Sequence, residues 1–407
     1  MFDLLPGGAF GIHCDVMRFI HTSDWHIGRS IKGQDRWEEV HTLLDEMAWF
    51  VERERIEMVL ISGDVFDVLT PPAEAERVVY DFFCRMNRLQ VPVVVIAGNH
   101  DSPQRFESRS GLFAIAGVYV VGRARHDAVF RPPVRSGADV LVGALPFVSE
   151  KSVIKGIDYM EKSEAELRGG YSERIEMMIR KLSEHFQPHS INILMTHLYF
   201  EGSVLSKSER QIDVTPVYAV PPQAIPPHLN YLAVGHIHKQ QKIKRTGVNA
   251  YYAGSIMKLD FGEERDEKGF LFVEAQPKVP PRVEFIKLTG VRNLMTFELD
   301  YSELAQKAEE INNSLGRNGY AKIRVRNDQP VLHLGEAVRQ LVPNAVDWEM
   351  LTVRPERERR RIVDQQQLAD PIEMYRAFYK DVLGTDPGED ILKAMKNLYD
   401  EVSRETD

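Results

Sequence analysis

Cysteine is scarce. Cys14 and Cys84 are the two in 407 residues, too few for a disulfide framework, and they fit a reducing, cytoplasmic setting. Long apolar runs are missing as well: none approaches the ~18–20 residues a membrane span needs. Residues 1–16 lack the basic start of a signal peptide and are broken by Pro6-Gly7-Gly8. A surplus of positive charge is the third absence. With 51 Lys and Arg against 60 Asp and Glu, the net charge is −9, which argues against a globally basic DNA-coating protein. A nucleic-acid site whose positive charge comes from bound metal stays open. What is present is ordinary globular composition, 43% hydrophobic and 27% charged, in a chain long enough for two or three domains.

Periodicity gives an alternating pattern up to about residue 274. Residues 18–22, 58–61, 93–97, 140–145, 191–195, 231–234, 249–253 and 270–273 read as strands. Trp37, Val40, Leu44, Met47 and Val51 recur at helical spacing, and Pro71-Pro72 opens a helix carrying Val79, Phe82, Phe83 and Met86. Strands alternating with helices imply a layered α/β domain over 17–276. The proline-rich 277–281 is the expected boundary. Beyond it, strands at 283–288, 295–299, 321–325 and 348–353 with helices at 302–315 and 334–341 make an α+β unit over 277–353.

Residues 354–369 read as a polar linker that starts with Arg354, Arg357, Arg359, Arg360 and Arg361. Two helices close the chain over 370–407. Asp370-Pro371 with Glu373, and Asp386-Pro387 with Glu389, each place an N-cap, a proline at N1 and an acid at N3. Their apolar stripes run through Tyr375, Phe378, Tyr379 and Val382, then Ile391, Met395, Leu398 and Val402. Such a hairpin cannot bury both stripes by itself. It packs on its own domain or, as the polar linker favours, on a partner protein.

Five times an apolar strand runs straight into metal-ligand side chains. Residues 19–23 lead to Asp24-Trp25-His26, and residues 58–62 lead to Gly63-Asp64-Val65-Phe66-Asp67. Residues 93–97 lead to Gly98-Asn99-His100-Asp101, residues 191–195 to Thr196-His197, and residues 231–234 to Gly235-His236-Ile237-His238. In open α/β sheets ligands bind beyond the carboxyl ends of strands, so five such ends converge on one cleft. Glycines 63, 98 and 235 let the backbone turn just before the ligand. Each motif alone is weak, since single histidines are usually structural; five in this order are not coincidence. Five of the 13 histidines lie in them, and the others, such as His41 and His333, read as ordinary surface or helix residues.

Oxygen and imidazole donors without thiolate point to Mn²⁺, Fe²⁺, Co²⁺ or catalytic Zn²⁺ rather than structural zinc. Two divalent ions among two carboxylates and several neutral donors leave a positive cleft that attracts a phosphodiester. A bridged metal pair also suits in-line attack at phosphorus.

These motifs together resemble the calcineurin-like metallophosphoesterases. Within them, the stretch from Met17 to Gly28 and that from Tyr252 to Glu264 resemble SbcD-type nuclease subunits, and the likeness continues to near the C-terminus. The resemblance implies a layered αββα metallophosphoesterase sandwich, a smaller α+β capping domain that contacts the DNA duplex, and a C-terminal helical hairpin. By motif, Asp24, His26 and His238 would hold one metal and Asn99, His197 and His236 the second, with Asp64 bridging. His100 would assist the leaving 3′ oxygen and Asp101 would orient His100. Asp67 stands where some relatives carry a second catalytic histidine, so its role is left open.

The implied activity is Mn²⁺-dependent phosphodiester hydrolysis with two divalent ions: 3′→5′ exonuclease on duplex ends and endonuclease on single strands and hairpins. The implied setting is DNA repair, recombination and replication in the cytoplasm, at the nucleoid. Implied partners are DNA and an SbcC-type SMC-like ATPase docked on the C-terminal helices, with a homodimer inside a heterotetramer and no membrane. The arginines of 354–361 would touch phosphates or, with Glu356 and Glu358 among them, form a solvated face. Residues 1–16 lie outside the family pattern and read as a misassigned start.

Two other readings compete, a metallophosphoesterase with another substrate and a non-catalytic scaffold. A metallophosphoesterase acting on a small phosphodiester would need neither cap nor hairpin. A phosphoprotein phosphatase is disfavoured because Val68-Leu69 follows Asp67 and aspartate, not glutamate, follows His100. A scaffold without catalysis is opposed by the presence of every expected ligand.

Overall fold

The computed structural model describes residues 16–149, 164–206, 208–209, 214, 218–316, 318–327 and 331–352, and in the C-terminal region 372, 375–376, 379–380 and 386–396. One six-stranded sheet has the order β12-β11-β1-β2-β3-β4. Its strands are β1 (Met17–Thr22), β2 (Met58–Ser62), β3 (Val93–Ile96), β4 (Val118–Val121), β11 (Gly269–Gln276) and β12 (Val279–Lys287). β1 to β4 pair in parallel, and β11 and β12 add antiparallel. The other sheet has the order β5-β6-β7-β8-β10-β9. It consists of β5 (Val129–Phe130), β6 (Val140–Leu145), β7 (Ile191–His197), β8 (Tyr231–Gly235), β9 (Gln241–Lys242) and β10 (Asn249–Tyr252). Here β6, β7, β8 and β10 are parallel.

Alternation along the central strands explains the layering. On β2, Met58 and Leu60 face the other sheet while Val59 and Ile61 face helices; on β3, Val94 and Ile96 face one way and Val93 and Val95 the other. A strand apolar on both faces must be covered on both. One core lies between the sheets and also takes in Tyr171, Ile175, Ile179 and Leu182 of α4 (Glu164–Ser183). The second core lies under α1 (Trp37–Arg53), α2 (Ala73–Arg88) and α3 (Pro103–Ile115), where Val40, Met47, Val79 and Phe83 cover the sheet. Each buried Val, Leu, Ile or Phe adds ~1.5–3 kcal/mol. The order of layers is helix, sheet, sheet, helix, as expected.

The boundary expected at 277 is displaced. Residues 279–287 form β12, paired with β11 along most of its length, so Pro280 and Pro281 belong to the first sheet. β12 is its edge strand, and Pro280 and Pro281 fall at the register shift between Arg282 and Val279, where a residue without N–H breaks no ladder; Lys278 at φ 63° makes the turn. The smaller sheet starts later, in the order β13 (Leu294–Asp300), β14 (Tyr320–Asn327), β15 (Ala345–Thr352). Its core is built from Leu299, Ile323, Val325, four apolar residues of α5 (Leu304–Leu315) and Val338 of α6 (Leu334–Leu341). β13, β14 up to Val325 and β15 up to Glu349 belong to the same compact unit as the two large sheets. Arg292 N–H donates to Glu39 at 2.8 Å, Thr289 N–H to Glu46 at 2.7 Å and Thr296 N–H to Glu264 at 3.1 Å.

Residues 1–15 and 354–369 lie outside the described residues. Within the expected terminal hairpin, the described positions 372, 375–376, 379–380 and 389–396 are helical. The rings of Tyr375 and Tyr379 lie 6.0 Å apart, one turn along a helix face. Among the described residues no helix is long and apolar enough to cross a membrane.

Candidate metal centre

The carboxyl ends of β1, β2, β3, β7 and β8 meet at one edge of the sandwich. There the loops after β1 and β2 are zipped together: Asp24 N–H donates to Gly63 O, His26 N–H to Asp64 O and Ile27 N–H to Val65 O, each at 3.0 Å. Asp24, His26, Asp64 and His236 all have positive φ, at 52°, 47°, 50° and 97°. Left-handed backbone is uncommon for such residues and concentrates where function demands it. Gly63 turns at φ 90°. Gly98 is needed for space instead, because a Cβ there would collide with the Asp64 backbone nitrogen and carboxylate.

The sequence-derived ligands come together. Asp24, His26 and His238 offer donor atoms within 4.8 Å of one another, as do Asp24, Asp64 and His197, and all five are buried. Nε2 of His26 lies 3.2 Å from Nε2 of His238 and 3.6 Å from Oδ2 of Asp64. Nε2 of His197 lies 3.4 Å from the same oxygen and 3.0 Å from Oδ1 of Asn99, which is 3.1 Å from Nδ1 of His236. Asp64 is thus the carboxylate common to both histidine groups. Asp24 is fixed by Ser23 Oγ at 2.6 Å and by His236 N–H at 2.9 Å.

The donor set fits divalent cations. His197 donates from Nδ1 to the Ser62 carbonyl at 2.7 Å, and His26 donates from Nδ1 to the Asp67 carboxylate at 3.1 Å. Both lone pairs therefore sit on Nε2, pointed at Asp64 and, for His197, at Asn99 as well. Acceptor facing acceptor in a buried site needs a proton or a cation between them. Burial lowers the His197 imidazole, but the Asp64 carboxylate outweighs burial and raises it to about 9. Burial raises Asp64, and the surrounding imidazoles, His197 foremost, bring it well below the usual carboxylate range.

Asp67, left open by the sequence, stands behind two of the site's imidazoles. Its carboxylate takes His26 Nδ1 and, at 3.3 Å, Arg29, while its carbonyl takes Nδ1 of His100 at 2.7 Å. Burial works against ionisation of Asp67, and the His26 hydrogen bond prevails to lower its pKa. The expectation that Asp101 orients the His100 ring therefore needs correction, since Asp67 O holds that nitrogen. Asp101 instead accepts N–H groups of Val65, Phe66 and Gly98 at 3.1, 2.9 and 2.9 Å, tying the Asp64 loop to the Asn99 loop. The reason is reach: Asp101, next to His100 in sequence, is turned inward and 1% exposed.

The calcineurin-like phosphoesterase family model matches residues 17–240. The chain belongs to that family. As a calcineurin-like phosphoesterase it is a hydrolase of phosphoester bonds in a family that uses divalent metals. It is similar to the SbcD subunit of nuclease SbcCD from Bacillus subtilis (strain 168), 29% identical over 96% of this chain and 99% of that protein. It is also similar to the SbcD subunit of nuclease SbcCD from Staphylococcus epidermidis, 26% identical over 81% of this chain and 84% of that protein. Among solved structures, the crystal structure of TT1561 of Thermus thermophilus aligns over 67% of this chain and 100% of its own, at 12% identity and a TM-score of 0.40.

In this phosphoesterase the sequence reading missed Ser208, Glu209, Glu263 and Lys268, which surround His238. Glu263 and Lys268 are charged residues without side-chain exposure. The only sequence signal was that Glu263 falls in the stretch from Tyr252 to Glu264 that resembles SbcD-type proteins.

Proposed function

We propose that this chain is the nuclease subunit of an SbcCD-like complex, hydrolysing DNA phosphodiesters with two divalent ions, Mn²⁺ first among them. The observation that carries this reading is the convergence of Asp24, His26, Asn99, His197, His236 and His238 around the shared Asp64 carboxylate, in a chain matched almost end to end by a protein named as a nuclease subunit. Asp24, His26 and His238 would hold one ion and Asn99, His197 and His236 the other, with Asp64 as the carboxylate within reach of both groups. When bound, the ions supply Lewis-acid stabilisation of charge on the phosphoryl oxygens.

The protein's own part is positional and protonic. Left-handed turns at Asp24, His26 and Asp64 aim the ligands before any ion arrives. His100, with Nδ1–H held by the Asp67 carbonyl, acts as the imidazolium: its Nε2 proton passes to the leaving 3′ oxygen and leaves the neutral ring with its lone pair on Nε2. The polarity is 3′→5′ on duplex ends, with endonuclease action on single strands and hairpins, in repair, recombination and replication at the nucleoid. The smaller sheet contacts the duplex. The terminal helices dock on an SbcC-type ATPase, and two copies pair within a heterotetramer.

The test is cleavage of end-labelled hairpin and duplex DNA by the wild type and His100→Ala, with Mn²⁺, Mg²⁺ or EDTA, beside bis-p-nitrophenyl phosphate. Mn²⁺-dependent DNA cleavage lost in the variant is the expected result. Hydrolysis of the small diester with DNA untouched, even with the ATPase partner and ATP present, would replace the nuclease with a small-molecule phosphodiesterase.

A further inference from the structure

His238 is gripped by two segments outside the five strand-end motifs. Its N–H donates to Oε1 of Glu209 at 3.1 Å, and Ser206 N–H donates to the same oxygen at 3.0 Å. On the side chain, Nδ1 lies 2.6 Å from Ser208 Oγ, and that hydroxyl bonds to Oε1 of Glu263. Oε1 is also 3.4 Å from Nδ1 itself. The second oxygen of Glu263 pairs with Lys268 at 2.8 Å and accepts Leu259 N–H at 2.8 Å. Lys268 Nζ completes its shell with Ser255 Oγ at 2.8 Å and the His238 carbonyl at 3.0 Å.

Counting hydrogens along this chain fixes the tautomer of His238. An ion-paired carboxylate only accepts, so the single Ser208 proton points to Glu263. Ser208 Oγ must then accept from Nδ1–H, which leaves the His238 lone pair on Nε2, the atom that faces His26 Nε2 at 3.2 Å. A buried ion pair is a poor stabiliser compared with an apolar pair of equal volume, because desolvation offsets the attraction. What a carboxylate adds in this place is fixed negative charge behind an imidazole N–H, which raises the donor strength of the opposite nitrogen.

We propose that Glu263, held charged by Lys268, is a positioning residue that acts through Ser208 to set the tautomer, orientation and donor strength of His238 toward the metal shared with Asp24 and His26. The proposal rests on the reading of His238 as a metal ligand. Ser208 and Glu263 touch neither metal nor substrate.

The test uses the full chain, stripped of metal, titrated with Mn²⁺ by calorimetry and by electron paramagnetic resonance. The variants are His238→Ala, Ser208→Ala, Glu263→Gln and the double variant Glu263→Gln/Lys268→Met, with urea unfolding in EDTA as the folding readout. His238→Ala should lose one Mn²⁺ site. Glu263→Gln should weaken that same site by ~10–100-fold and leave the other unchanged, with a smaller loss in Ser208→Ala. The double variant, neutral and close in shape, should recover the unfolding midpoint without recovering Mn²⁺ affinity, and it carries the test if Glu263→Gln alone does not fold. Recovery of affinity together with stability would make the pair structural and overturn the proposal. So would wild-type Mn²⁺ binding by Ser208→Ala and the double variant while His238→Ala loses a site. Retention of both sites by His238→Ala would remove the ligand reading itself.

Discussion

Nε2 of His197 stands 3.4 Å from Oδ2 of Asp64, and the two side chains are 0% and 2% exposed. The imidazole is raised from 6.5 to about 9, and the carboxyl is held well below 3.8. A raised histidine stabilises the metal-free fold fully below pH 6.5 and loses that contribution as pH climbs through about 9. The depressed carboxyl contributes above pH 3.8 and loses its contribution as pH falls through its lowered value. The unfolding midpoint in EDTA is therefore expected to fall from about pH 6.5 to about pH 9. A divalent ion must displace the same proton, so Mn²⁺ affinity should rise by up to ~tenfold per pH unit over that window. Melts in EDTA and Mn²⁺ titrations in buffers of different ionisation enthalpy check both; flat affinity and no proton release would contradict the geometry.

Asp101 serves three backbone N–H groups on two loops, and burial pushes its carboxyl up to about 7, with the Asp64 charge adding to the effect. Asp101→Asn keeps the shape but turns an NH₂ toward donors that need an acceptor. A loss of ~1–3 kcal/mol is expected, read from urea unfolding in EDTA. Unchanged stability would mean that the Val65, Phe66 and Gly98 N–H groups had found other partners.

His100 and Asp67 should separate cleanly. His100→Ala is expected to slow bis-p-nitrophenyl phosphate hydrolysis by ~100- to 10,000-fold with Mn²⁺ binding intact. Asp67→Asn acts on the Nδ1 hydrogen bond of His26 and is expected to weaken Mn²⁺ binding by ~10–100-fold. Hydrolysis rates at saturating Mn²⁺ beside calorimetry distinguish them, and the reverse pattern would exchange the two roles.

Two glycines make opposite predictions. Gly98→Ala puts a Cβ into Asp64, so ~1–3 kcal/mol of overpacking and loss of Mn²⁺ binding should follow. Gly111, inside α3, has nothing within 4 Å of a built Cβ. Gly111→Ala should stabilise by ~0.5–1 kcal/mol and leave Mn²⁺ binding alone. Thermal melts with and without Mn²⁺ decide both.

Much of this site was legible because its chemistry is local in sequence. A strand that ends in Gly-Asp or Gly-Asn-His names its own candidate ligands, and parallel pairing of β1, β2 and β3, and of β7 with β8, carries those ends to one edge. The boundary at 277 misled because prolines read as a break, while an edge strand such as β12 tolerates them. Asp101 misled because the resemblance gave it the task of orienting His100, yet successive residues on a tight turn point in different directions.

The sequence by itself determined the layered α/β class and picked out the seven side chains that the fold gathers at one edge, since alternation and strand-end motifs are short-range patterns that survive without coordinates. Only the tertiary structure decided which nitrogen of each histidine faces the metal site, because tautomers are set by partners distant along the chain. Ser208 is 30 residues from His238 and 55 from Glu263, and only folding brings their charges and hydrogen bonds onto one imidazole.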